Sequence, residues 1–197
     1  MTDPPDGAPT AFAVNGRVRR GPGGATSDAA ARDLGSWIAA TYDANRGDLF
    51  SFAAALVRDP DAADDLVAEA FLRLIRETRE DRAPDDPRAW LYRVVANLSL
   101  SRGRRLRTAQ RFVRHLVERR VGEAADAPLL RRELPDDLER ALLGLKADAR
   151  VAVVMAARGC SGRDIATALG RSETSARTLL HRARLDLRAR LTAGDVR

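Results

Sequence analysis

From Asp28 onward, apolar residues recur three or four positions apart against a background rich in Ala, Leu, Arg and Glu, and β-branched runs are short. That spacing lines one face of a helix and fits no strand, so the chain is expected to be all-α. A first helical region spans about Asp28 to Val57, with an interruption near Asn45-Arg46-Gly47. Asp59-Pro60-Asp61 then breaks the chain and offers N-caps for a second helix, about Asp61 to Thr78, which turns Leu66, Phe71, Leu74 and Ile75 inward. A charged stretch, Glu80 to Asp86, leads to Pro87 in the first turn of a third helix. This one directs Trp90, Leu91, Val94, Val95 and Leu98 to the core and ends in Ser101-Arg102-Gly103-Arg104-Arg105.

Two stretches lack the pattern. Residues 1–27 are Pro, Gly, Ala and polar residues with too little apolar surface to offset the entropy of ordering, and they read as a disordered tail. Between Thr108 and Leu134 the periodicity weakens, and Gly122 to Pro128 reads as a tether. The expected organisation is thus a tail (1–27), an N-terminal helical domain (28–107), a flexible linker (108–134) and a C-terminal helical domain (135–192). The last holds four helices, roughly Asp136–Leu145, Ala147–Ala157, Ser161–Leu169 and Ser172–Leu191.

Composition narrows the function. A formal charge of +6 favours an anionic partner. Because Lys146 is the only lysine, the basic charge is nearly all arginine, and its placement is more informative than its total. One cysteine, Cys160, leaves no internal disulfide, and His115 and His181 make no metal cluster, so neither metal nor cofactor is expected and the setting is reducing and cytoplasmic. No apolar run is long enough to span a membrane, and the start of the chain lacks the layout of a secretory signal. Gly21-Pro22-Gly23-Gly24 lacks the Gly-Lys-Ser/Thr of a phosphate loop, and no nucleophile has a recognisable partner set, so no enzyme is expected.

The sharpest local signal lies between Ser161 and Arg190. Ile165, Ala166 and Leu169 share one face, and Ala166 is small where another helix must approach. Gly170 suits a left-handed turn, and Ser172 caps the following helix. In that helix Leu180, Leu185 and Leu187 are placed to dock, while Arg177, Thr178, His181 and Arg182 point outward. This is the pattern of a helix-turn-helix whose second helix enters a major groove. A plain helical hairpin with a solvated arginine face is the competing reading.

Joined to the N-terminal blocks, the pattern resembles the extracytoplasmic-function (ECF) RNA polymerase sigma factors. Asp61-Ala-Ala-Asp64-Asp65-Leu66-Val67-Ala68-Glu69-Ala70-Phe71 is similar to their polymerase-gripping helix, with Ala68 where Gln is usual. Trp90-Leu91-Tyr92-Arg93-Val94-Val95-Ala96-Asn97 is similar to their minus-ten helix, with Ser101 where Asp is frequent. Asp164-Ile165-Ala166, Leu169-Gly170, Ser172, Ser175-Ala176-Arg177-Thr178 and Leu180 to Arg184 match their C-terminal pattern. There Ser175 stands for Thr and Ala176 for Val.

The resemblance, from about Asp43 to Leu191, implies a sigma region 2-like domain and a region 4-like helix-turn-helix domain. It implies core polymerase binding, at the clamp helices of the largest subunit, through Asp61, Asp64, Asp65, Leu66, Glu69 and Phe71. It places Asn97 near a captured base and Arg102, Arg104, Arg105 and Arg107 near phosphates of a melting minus-ten element. Ser175, Arg177, Thr178, His181 and Arg182 would read the minus-thirty-five element. An anti-sigma factor is a further implied partner. Two alternatives stay open: a degenerate sigma-like interaction protein, for which Ala68, Ser101, Glu173 and Ala176 leave room, and a helix-turn-helix regulator that never binds polymerase.

Overall fold

The computed structural model describes residues 24–57, 59–114 and 135–194, and all regular structure among them is helical. The helices are α1 (Gly24–Leu56), α2 (Pro60–Arg79), α3 (Pro87–Arg114), α4 (Asp136–Gly144), α5 (Ala147–Ala157), α6 (Gly162–Leu169) and α7 (Glu173–Gly194). Residues 1–23 of the expected tail and most of the expected linker lie outside the described residues, whereas residues 24–27, expected in the tail, begin α1. The chain divides into two compact units, Met1–Ser36 and Trp37–Arg197. The first holds the opening turns of α1, and the second holds the rest of α1 and all of α2 to α7.

Local chemistry sets the helix boundaries. Asp59 caps α2 by accepting from the N–H groups of Asp61 and Ala62 at 3.1 and 3.3 Å, with Pro60 in the first turn. Asp86 accepts from Ala89 N–H at 2.8 Å and opens α3 ahead of Pro87. The interruption expected near Asn45 to Gly47 does not occur. The Asn45 side chain donates to Thr41 O at 2.8 Å and Ser51 to Gly47 O at 3.0 Å, so polar groups that could break the helix bond back into it. One helical glycine costs only about 1 kcal/mol, and the next turns bury Leu49, Phe52, Ala53 and Leu56. Likewise α3 does not stop at Arg105 but continues to Arg114. Gly103 alone does not end it, and Thr108 donates back to Arg104 O at 3.1 Å.

The helices α1 to α3 enclose Leu66, Val67, Ala70, Phe71, Leu74, Leu91, Tyr92 and Val95. Two edge-to-face aromatic pairs cross this core, Phe52 on Tyr92 and Tyr42 on Phe71, each with centroids 4.9 Å apart. Ile75, Trp90, Val94 and Leu98, expected inside, are only partly buried at its rim.

In the second group, Leu142, Leu145, Val151, Met155, Ile165, Ala166, Ala176 and Ala183 are buried. Leu185 is not: it is 51% exposed, contrary to the docking role expected for it. The inward face of α7 steps through 176, 180, 183 and 187, a 3.6-residue repeat that leaves position 185 on the far side. The buried residues of both helix groups belong to one cluster, because α3 packs on α5 and α6.

Candidate nucleic-acid interface

The turn between α6 and α7 is built from three local devices. Ser161 and Asp164 cap one another at the start of α6: Ser161 Oγ accepts from Asp164 N–H at 3.1 Å, and the Asp164 carboxylate accepts from Ser161 N–H at 3.2 Å. Gly170 closes α6 in the left-handed region, φ 61°, and its N–H bonds to the carbonyls of Ala166 and Thr167. Ser172 Oγ then accepts from Ser175 N–H at 3.3 Å, capping α7. Ala176, fully buried, lets α7 approach α6 closely.

The result is a helix that presents Arg177, Thr178, His181 and Arg182 to solvent, with Ser175 half-buried beside them. Glu173 is exposed at its start, and Thr178 donates back to Thr174 O at 3.0 Å.

On α3, Asn97 is exposed, and Arg104, Arg105 and Arg107 are exposed beyond it. Arg104 donates to Ser101 Oγ at 3.0 Å, and Arg102 lies 3.6 Å from the Asp59 carboxylate. Trp90 and Val94, with Arg73, Arg76 and Glu77 of α2, line an open cleft of about 300 Å³.

On α2 the predicted polymerase residues divide. Asp61, Asp64 and Asp65 are exposed, and Glu69, half-buried, holds Arg73 at 2.8 Å. Leu66 and Phe71 are 6% and 5% exposed, inside the core beneath that face. They fix the helix but offer no surface to a partner. Ala68 and Leu72 complete the outward stripe, Leu72 being 56% exposed. Sequence reasoning missed Leu72, although it lies four residues from Ala68 and seven from Asp65, the repeat that defines a helix face.

The structure also joins the two helix groups through residues with no role expected from sequence. Arg93 of α3 donates to the Asp164 carboxylate at 2.5 Å, with side chains 27% and 17% exposed. Arg158 Nη1 lies 3.3 Å from Asp48 Oδ1 of α1, and Arg88 donates to the Arg158 carbonyl at 3.3 Å. Burial tends to raise the Asp164 pKa, but hydrogen bonds from Ser161 and Arg93 outweigh it and hold the carboxyl below its ordinary value. Tyr92 is fully buried with no protein partner for its hydroxyl, and the Arg88 guanidinium stands 5.0 Å from its ring centre. Cys160, half-buried, has its thiol pushed up to about 11, first by burial and then by the Asp164 carboxylate.

Comparison with known proteins fits this geometry. The family described as Sigma-70 region 2 matches residues 41–112, and Sigma-70 region 4 matches residues 136–187. The chain therefore belongs to the sigma-70 family. Within it, the chain is 30% identical over 167 residues to the protein named probable ECF RNA polymerase sigma factor SigI in two strains of Mycobacterium tuberculosis. The match takes in 81% of this chain and 57% of those relatives' length. A solved structure of the sigma factor RpoE in complex with the anti-sigma factor NepR, from Bartonella quintana, superposes with a TM-score of 0.62 at 25% identity. It covers 82% of this chain and 98% of that one. With both regions in order, the chain is, within that family, similar to ECF sigma factors.

Proposed function

We propose that the chain directs promoter-specific transcription initiation by bringing core RNA polymerase to a class of promoters, performing no chemistry of its own. One observation carries this reading. A single chain presents an acidic, partly apolar helix face on α2 and, apart from it, an arginine-bearing recognition helix, α7, exposed at the residues placed to read DNA.

On this reading Asp61, Asp64, Asp65 and Glu69 engage the polymerase clamp helices, and buried Leu66 and Phe71 hold α2 in place. Asn97 receives a base of the opened minus-ten element while Arg102, Arg104, Arg105 and Arg107 steady the strand backbone. Arg177, Thr178, His181 and Arg182 meet base edges and phosphates of the minus-thirty-five element, and Ser175 lies at its edge. An anti-sigma factor belongs to the same proposal, as for the RpoE neighbour solved with NepR.

Run-off transcription with purified protein, core polymerase and promoter DNA from the same genome tests the proposal. Specific transcripts are expected. Association with polymerase without transcripts would mark a sigma-like interaction protein instead, and no association would mark a free-standing DNA-binding regulator.

A further inference from the structure

The contact between α3 and α6 puts a carboxylate of the helix-turn-helix on an arginine of the promoter-opening helix. Arg93 lies one turn before Asn97, beside the face that carries Asn97 and Arg104, and Asp164 occupies its guanidinium. A carboxylate and a phosphate present arginine with the same acceptor geometry. Arg158 to Asp48 and Arg88 to the Arg158 carbonyl tie the same two groups together as well.

Resting on the proposed sigma function, we propose that this contact is autoinhibitory: Asp164 stands in for a promoter phosphate at Arg93, and the helix-turn-helix domain must leave α3 before both promoter elements are read.

Geometry requires the separation. Elements centred near minus ten and minus thirty-five lie about 25 base pairs apart, on the order of 85 Å at 3.4 Å per base pair. A domain of about 70 residues has a radius of gyration of roughly 11 Å, so two in contact fall short of that distance. Arg114 to Asp136 would reach on the order of 70 Å fully extended, enough to let them part. The contact is also suited to reversal. Its ion pairs are partly solvated and so add little net stability to the closed arrangement.

Cys160, the chain's one cysteine, serves as a built-in reporter. Iodoacetamide labelling of the full chain is compared with Arg93→Ala and Asp48→Asn, and binding of a fluorescein-labelled single-stranded oligonucleotide is measured for Asp164→Asn. Opening should speed Cys160 alkylation about fivefold in Arg93→Ala and in Asp48→Asn. Losing the Arg93 charge without opening would slow it, since Arg93 lowers the thiol pKa. Asp164→Asn should bind the oligonucleotide about fivefold more tightly, and adding Arg93→Ala should abolish that gain.

Unchanged or slower alkylation in Arg93→Ala, or unchanged oligonucleotide binding in Asp164→Asn, overturns the proposal. Failure of every form to bind core polymerase, with the other results as expected, counts against the sigma reading and leaves the masking of Arg93 standing.

Discussion

Ser161 and Asp164 each accept a hydrogen bond from the other's backbone N–H, so that α6 begins with both residues satisfied before any contact with another helix is made. Removing the serine hydroxyl leaves an N–H at the helix start without its partner. Ser161→Ala should cost about 1 kcal/mol. Urea denaturation followed by circular dichroism will show it as a lower midpoint with an unchanged slope.

The same carboxylate makes stability depend on acid. Asp164 has a lower pKa folded than unfolded, so its contribution is fully present above the ordinary aspartate range and is lost as the pH falls through the depressed folded value. The window therefore opens below about pH 4. Wild type should lose stability there more steeply than Asp164→Asn, which cannot titrate at this position. Parallel urea titrations between neutral and acidic pH measure the difference, and equal slopes for the two proteins would rule out Asp164 as the source.

Core and surface of α2 should separate cleanly. Phe71→Ala removes a buried ring paired edge-to-face with Tyr42 and is expected to destabilise by about 3–5 kcal/mol. Asp65→Arg reverses an exposed charge and should leave the unfolding midpoint within about 0.5 kcal/mol of wild type while abolishing retention of core polymerase in a pull-down. Loss of polymerase binding only in proportion to lost stability would show that the acidic face is not the docking surface.

How far the sequence was legible differs by residue. Caps were readable because each is a short-range device: Asp59, Pro60, Pro87, Gly170 and Ser172 act within a few positions of themselves. Helix interiors were less so. Asn45 and Gly47 resemble a break until tertiary burial of Leu49 and Phe52 outweighs their weak propensity, and Gly103 misleads in the same way. Leu66 and Phe71 stand inside a motif whose outward residues were placed to meet a partner, yet period 3.6 turns those two inward. Arg93, Asp48 and Arg158 were beyond reach altogether, because their partners lie 71 or 110 residues away and no local pattern marks such a pair.

The exposed arginines of α3 give the most discriminating measurement. Arg104, Arg105 and Arg107 project from a helix that continues without a break to Arg114, so one helix carries all three. A phosphate contact displaces counterions and carries no sequence information, whereas a base contact does the reverse. Arg105→Ala should therefore weaken holoenzyme binding about equally on all promoters and reduce the slope of log affinity against log salt by roughly one. Asn97→Ala should leave the slope unchanged but relax discrimination among minus-ten sequences, by about 1–3 kcal/mol at the base it meets. Filter binding across a salt series, on promoters differing at single minus-ten positions, distinguishes the two; a changed slope for Asn97→Ala, or sequence-dependent losses for Arg105→Ala, would exchange their assignments.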